Sequence, residues 1–239
     1  MKKIKILKLL TLIMVVIILI GSTIYMIPIV KQLNTAQGQI EFKSKIQNSG
    51  ILGILILFGL ELAQIILAIL PGEPIEVLAG VCFGPIWGTI FIMIAIFITT
   101  CLIYFLVKKY GRKFIYEIFP KEKVQKLEKS KIFKDDKKVE MVMILLFLIP
   151  GTPKDLLVYL GGLLPIKTSR FIMIATLLRF PSVISSTIAG NSILDKQWKI
   201  VILAYLASFL VTFIILLIIH KFDKNKTTED IIKTMKEIN

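Results

Sequence analysis

Pro71-Gly72-Glu73-Pro74-Ile75-Glu76-Val77-Leu78 returns in altered form as Pro150-Gly151-Thr152-Pro153-Lys154-Asp155-Leu156-Leu157. In both copies a Pro-Gly-x-Pro tetrad ends an apolar limb. A carboxylate follows two residues after the second proline, and a short apolar limb leads on to Gly and Pro. Two such tetrads in matching settings mark an internal repeat. Apolar segments broken by Gly and Pro at corresponding positions of two halves are a sequence pointer to a transporter-type binding site near mid-membrane.

The surroundings of the tetrads say membrane. Residues 50–70 are apolar except for Glu61 and Gln64, and residues 86–107 form a long uncharged run. In the second half, residues 139–149 carry one Glu, 156–164 resume the apolar limb, and 171–190 and 201–219 are long enough to cross. Over all 239 residues, 56% are hydrophobic, 19% are charged, and the mean hydropathy is +0.81. Soluble domains are about 45–50% apolar. The net charge of +14 would suit a nucleic-acid partner, but only three of the 30 basic residues are Arg, and most lie outside the apolar runs. That distribution belongs to the ends and loops of a multi-pass membrane protein, so no nucleic acid is expected. Cys82 and Cys101 both sit in apolar runs, and His220 is the sole histidine. A disulfide framework, a metal site and the usual catalytic triads have almost nothing to build with. No cofactor and no enzyme activity are expected.

Charge sets the orientation. Lys2, Lys3, Lys5 and Lys8 precede an uncharged run over residues 9–30, which reads as an uncleaved anchor with its N-terminus inside. Residues 31–49 are then outside. Residues 108–138 carry twelve Lys/Arg against five Asp/Glu and belong inside, so an odd number of crossings separates the two loops. The count works if residues 50–81 dip in from outside as a re-entrant hairpin with its tip at the first tetrad, and 86–107 then crosses. By the same logic residues 139–164 dip in from the cytoplasm, and two further crossings return the C-terminus inside. The expected fold is therefore an all-α integral membrane protein. It is an inverted repeat of re-entrant helical hairpin plus transmembrane helix, with about four full crossings and two re-entrant hairpins. The expected divisions are an anchor and outer loop (1–49), a membrane domain (50–220, with repeats at 50–107 and 139–220) and a cytoplasmic tail (221–239). Within the basic loop, Phe114, Ile115, Ile118 and Phe119 suit either an interfacial helix or a solvated connector.

Irregular backbone at membrane depth is tolerated only where protein or a cavity covers it, so the two tips should meet. Pro71, Gly72 and Pro74, with Pro150, Gly151 and Pro153, are the structural residues of the hairpins. Pro74 and Pro153 suit the first turn of a helix, and Thr152-x-x-Asp155 reads as a capping box, with Glu73-x-x-Glu76 as a weaker copy. One reading leaves Glu76 and Asp155 as caps alone. The other starts from the cost of carboxylates inside a membrane, where they face a cavity or a partner. Two helix N-termini aimed at one point also favour an anion. Arg179, in Leu177-Leu178-Arg179-Phe180-Pro181, lies roughly 15 Å beyond the Lys167/Arg170 edge on a helical rise. It needs an acidic partner or a substrate at that depth, unless it pins the Pro181 kink. The candidate substrate-binding and coupling residues are thus Glu76, Asp155, Arg179, Glu73 and Lys154. Their expected partners are membrane lipids, an anionic lipid headgroup and protons. Glu61 and Gln64, one turn apart, read either as polar interhelix packing or as functional groups, while Ser182, Ser186 and Gly190 form a small-residue face for close helix packing.

Pro150-Gly151-Thr152-Pro153-Lys154-Asp155-Leu156-Leu157-Val158-Tyr159-Leu160-Gly161-Gly162, the run from Leu178-Arg179-Phe180-Pro181 to Ala189-Gly190, and Glu76-Val77-Leu78-Ala79-Gly80-x-x-Phe83-Gly84 together carry a resemblance. Over about residues 50–220 the chain resembles the DedA/SNARE-associated Golgi protein superfamily (the VTT domain), in its Tvp-like bacterial branch. The resemblance implies a bacterial plasma membrane protein with two facing re-entrant hairpins. It also implies lipid translocation: flipping of undecaprenyl phosphate or phospholipid in bacterial relatives, scrambling in eukaryotic ones. Phe147 and Pro153 stand where the DedA branch proper carries two arginines. The expected function is a translocator of an anionic lipid or lipid-linked phosphate, with proton coupling as a further expectation. The competing expectation is a membrane-organising scaffold that transports nothing.

Overall fold

The computed structural model describes residues 35–67, 72–111, 136–148, 152, 154–194 and 196–222. The expected N-terminal anchor, most of the basic loop and most of the tail lie outside these residues, as do Pro71, Pro150, Gly151 and Pro153. The described residues form helices joined by turns and bends, with no strand among them. In chain order the helices are α1 (Ala36–Asn48), α2 (Ile51–Leu67), α3 (Glu73–Tyr110), α4 (Asp136–Leu148), α5 (Lys154–Gly161), α6 (Thr168–Leu177), α7 (Phe180–Leu194) and α8 (Trp198–Phe222).

The chain divides into two compact units at Ile54/Leu55, within α2. In the first, α1 is capped by Thr35, whose hydroxyl accepts from the Gly38 N–H at 3.1 Å. Gly50, at φ 54°, follows its last turn in the left-handed region that suits glycine.

In the second unit, α2 buries Leu57, Glu61, Gln64 and Ile65, an i, i+4, i+7, i+8 stripe, and exposes Leu55, Ile56 and Ile66. Phe58 meets Phe91 of α3 edge-on at 5.7 Å between ring centres. Helix α3 has two limbs. Gly84 (φ 78°, ψ 176°) breaks it, and Pro85 next to it supplies no N–H to continue the ladder. The limb from Glu73 to Gly84 rises about 16 Å and the limb from Pro85 to Tyr110 about 39 Å. The first is half the depth of a hydrocarbon core and the second crosses it. Short α5 rises about 12 Å, so both hairpins have a half-depth second arm.

The second crossing is also divided. Helices α6 and α7 are separated by a turn at Leu178 and Arg179, where Pro181 in the first turn of α7 has no N–H to give. Ser208 of α8 donates to the Pro181 carbonyl at 2.7 Å. Among the described residues, three stretches are long and apolar enough to cross a membrane: Glu73–Tyr110, Thr168–Ile193 and Trp198–Ile219. The chain is an all-α integral membrane protein.

The most extensive packing joins α3 to α7. A Cβ on Gly80 would collide with the Thr187 carbonyl, and one on Gly190 with that of Val77, so the two helices cross backbone to backbone. Thr89 and Thr187 share a hydrogen bond of 2.7 Å at this crossing. Elsewhere Tyr104 of α3 stacks on Phe171 of α6 at 5.5 Å, and its hydroxyl meets Thr168 at 3.0 Å. Met141, Val142 and Leu145 of α4 pack with Leu216 and Ile219 of α8. Most of α8 stays exposed, including Leu203, Leu206, Phe209 and Leu210; with bilayer as solvent that face needs no protein cover.

Candidate functional site

The site forms where the end of α2, the start of α5 and the turn between α6 and α7 come together. Asp155, in the first turn of α5, uses both carboxylate oxygens. Oδ1 accepts from Arg179 Nη1 at 2.6 Å and Oδ2 from Gln64 Nε2 at 2.7 Å. The first is a charge-assisted bond between side chains that are 7% (Arg179) and 17% (Asp155) exposed. Asp155 is thus held in an ion pair. Three elements converge on this one carboxylate: α2, α5 and the turn between α6 and α7.

Arg179 also stands over the Phe147 ring, 5.6 Å from guanidinium carbon to ring centre. Its Nη1 is taken by Asp155, while Nε and Nη2 are buried with no hydrogen-bond partner. Those two groups form one edge of the planar guanidinium, the edge suited to two oxygens of a carboxylate or phosphate. The break at Arg179 serves the helix as well: Arg179 N–H bonds the Thr176 carbonyl at 3.2 Å, and its own carbonyl accepts from Val183 N–H and Ser182 Oγ. The chain therefore turns there with its backbone satisfied while the side chain keeps an unfilled edge.

On the other side, Glu76 is buried in the first limb of α3, beside Ser186, Lys154 and Arg179. Its Oε2 has no hydrogen-bond partner. Lys154 Nζ donates to Ser182 at 3.3 Å. Glu73, at the start of α3, is exposed, within electrostatic reach of Lys154. Glu61 is 1% exposed, within electrostatic reach of Glu76, Asp155 and Arg179, and its Oε2 also has no hydrogen-bond partner. Among the described residues, no group of His, Cys, Asp and Glu is arranged to hold a metal ion.

Of the five residues singled out from sequence, Asp155 and Arg179 bond directly, and Glu76 and Lys154 lie beside them. Glu73 stands at the rim. Gly72 and Pro74 are described at the start of α3, and Gly72 lies against the Gln64 amide. Sequence reasoning read Glu61 and Gln64 as interhelix packing ahead of function, and Ser182 and Ser186 as packing. In the structure Gln64 bonds Asp155, Glu61 lies within reach of the cluster, and the two serines lie against Lys154 and Glu76. The usable signal was Glu61-x-x-Gln64: two polar residues on one face of an otherwise apolar helix, one of them an expensive carboxylate. Gly190 does serve the close crossing expected of it.

Two broken helical hairpins with a buried ion pair and partnerless polar atoms between them define a helical membrane protein with an intramembrane polar site. The VTT domain model matches residues 70–192, just over half of the chain, and the chain belongs to this family, the DedA/SNARE-associated Golgi protein family. No curated protein and no solved structure matches it.

Proposed function

We propose that the protein translocates an anionic lipid or lipid-linked phosphate across a bacterial plasma membrane, with the headgroup held on the Nε/Nη2 edge of Arg179. The observation that carries this reading is that edge: 6% residue exposure, a fixed positive charge, and two buried donors with no partner. A buried unsatisfied charged group costs several kcal/mol unless a ligand completes it. A scaffold gains nothing from maintaining it. The N-termini of α3 and α5 add positive dipole ends.

Asp155 occupies the opposite side of the guanidinium, so a headgroup need not displace it. The groups free to exchange a proton are then Glu61 and Glu76, whose Oε2 atoms have no hydrogen-bond partner. An arriving anion repels a nearby carboxylate and favours its protonated form, which couples headgroup occupancy to proton uptake. The termini and residues 108–138 face the cytoplasm, and residues 31–49 face outward, as the distribution of Lys requires.

The test is flipping of fluorescent lipids in proteoliposomes, with anionic phosphate lipids compared against a neutral glycolipid. Arg179→Lys keeps the charge and loses the planar fork, and is expected to slow anionic lipids by about 10–100-fold, the scale of one or two charge-assisted hydrogen bonds. Equal rates for wild type and Arg179→Lys would end the Arg179 assignment. Transport of the neutral lipid at the anionic rate would end the anion reading.

A further inference from the structure

Gln64 has a place in the site that its chemistry alone would not suggest. It comes from the first repeat, yet its amide N–H reaches the Asp155 carboxylate of the second at 2.7 Å. Its amide is also backed by Gly72 at the start of α3. A Cβ built on Gly72 would lie 3.1 Å from Gln64 Oε1 and 3.3 Å from Nε2, tighter than ordinary contact. A side chain at position 72 would therefore crowd the amide, which would have to shift by a few tenths of an ångström. Asp155 in turn fixes Nη1 of Arg179 at 2.6 Å, which sets where the partnerless Nε/Nη2 edge points. Gly72, Gln64, Asp155 and Arg179 form one chain of contacts from the first hairpin to the headgroup edge.

Among the described residues, the ties of α2 to the second repeat are polar and gather at its end. Helix α2 makes none of the extensive helix pairings that join α3, α7 and α8. Besides the Gln64 bond, the Tyr159 hydroxyl of α5 donates to the Ile66 carbonyl in the last turn of α2. The end of α2 is thus held to α5 through polar bonds one turn of helix apart.

We propose that Gln64 is a positioning residue. Through Asp155 it aims the free edge of Arg179, and it tethers α2 to the second repeat, so that occupancy of the anion site and attachment of the first hairpin are felt at one carboxylate. This rests on the transport reading above for its functional consequence, but the tether itself does not.

Two substitutions separate positioning from mere packing. Gln64→Leu fills a similar volume and removes the donor. Gln64→Glu keeps the reach, but it can donate to Asp155 only when the introduced carboxyl is protonated. The charged groups of the cluster it joins are Glu61 on α2, Glu73 and Glu76 on α3, Lys154 and Asp155 on α5, and Arg179 at the α6–α7 turn. Four of these are acids, so protonation relieves repulsion as well as restoring the bond.

The experiment measures flipping of a labelled phosphate lipid in proteoliposomes and amide exchange of residues 55–66 by mass spectrometry, both at acid and neutral pH. At neutral pH, Gln64→Leu and Gln64→Glu are expected to flip about tenfold more slowly than wild type, as for a lost hydrogen bond to a charged group. Acid should restore Gln64→Glu toward the wild-type rate and leave Gln64→Leu slow. Exchange over residues 55–66, corrected for intrinsic pH dependence, should rise in both variants at neutral pH and fall back with acid only in Gln64→Glu. A wild-type rate in both variants overturns the positioning role. Exchange that does not respond to acid in Gln64→Glu overturns the tether. If wild type moves no labelled lipid at all, the transport reading fails, and the exchange measurement still decides the tether.

Discussion

The register that lays Pro71 over Pro150 also lays Glu76 over Asp155 and Glu61 over Glu140, yet the paired acids live differently. Asp155 is bonded to Arg179 at 2.6 Å and Glu140 to Arg170 at 3.0 Å. Glu76 and Glu61 are buried, and each has an Oε2 with no hydrogen-bond partner. The cause is in the sequence: residues 50–107 contain no Lys or Arg, whereas the second repeat carries both arginines of the described residues. Thr100, itself buried with a partnerless hydroxyl, stands at the position that Arg179 fills in the second copy. One backbone plan thus holds two electrostatic designs. The second repeat carries fixed charge pairs, and the first repeat carries acids that borrow positive charge across the interface from Lys154 and Arg179.

The largest difference should appear when each buried acid is removed. Asp155→Ala strands Arg179 without its hydrogen-bonded anion, and Arg179 is only 6% exposed. Breaking such a pair from one side costs about 3–5 kcal/mol. Glu76→Gln removes a charge that has no hydrogen-bonded cation, so unfolding in detergent should change by less than about 1 kcal/mol. Thermal unfolding of the two variants side by side checks this. Similar losses at both positions would mean that the repeats are electrostatically equivalent.

The outline of this fold was legible because it rests on features a sequence displays directly. The tetrads at residues 71–74 and 150–153, the apolar run lengths and the Lys-rich loop each report a local requirement. So does the pairing of an Arg at depth with a nearby acid, which is why Asp155 and Arg179 could be nominated together. Gln64 could not be found in this way. A neutral amide in an apolar helix is cheap enough to be packing, and only the approach of α5 to α2 makes it a partner. The break at Leu178–Arg179 was hidden for a similar reason. Residues 171–190 read as one crossing, and Pro181 in the first turn of a new helix looks like a kink inside an old one. Glu61 is alike: its place near Glu76, Asp155 and Arg179 follows only from the approach of the other repeat.

A middle-sized effect concerns the close crossing that holds the two repeats together. Gly80 and Gly190 bring α3 and α7 into backbone contact from opposite ends. Gly190→Ala or Gly80→Ala should each cost about 1–3 kcal/mol, the range for inserting a methyl where none fits. Because each added Cβ would strike a carbonyl of the partner helix rather than a flexible side chain, relief requires the helices to separate. If the repeats rely equally on this crossing, the two losses match. A loss at one glycine alone would show that one repeat supplies the rigid frame.

The smallest effect tests the outer pair of acids. Glu140 meets Arg170 at 3.0 Å, but the two side chains are 26% and 59% exposed. An ion pair of that exposure is screened and contributes about 0–1 kcal/mol. Glu140→Gln should therefore change stability by a few tenths of a kcal/mol, and a double-mutant cycle with Arg170→Gln should give a coupling that shrinks in high salt. Its effect on the pH-gradient dependence of lipid flipping should be nil, since Arg170 already compensates this carboxylate. Glu61→Gln, at the matching position of the first repeat, should be similarly mild in stability yet remove much of that dependence. The contrast turns on surroundings alone, because the residue type and the register are the same. Should Glu140→Gln flatten the pH dependence as Glu61→Gln does, proton uptake is not confined to the first repeat, and the division of labour between uncompensated and paired acids falls.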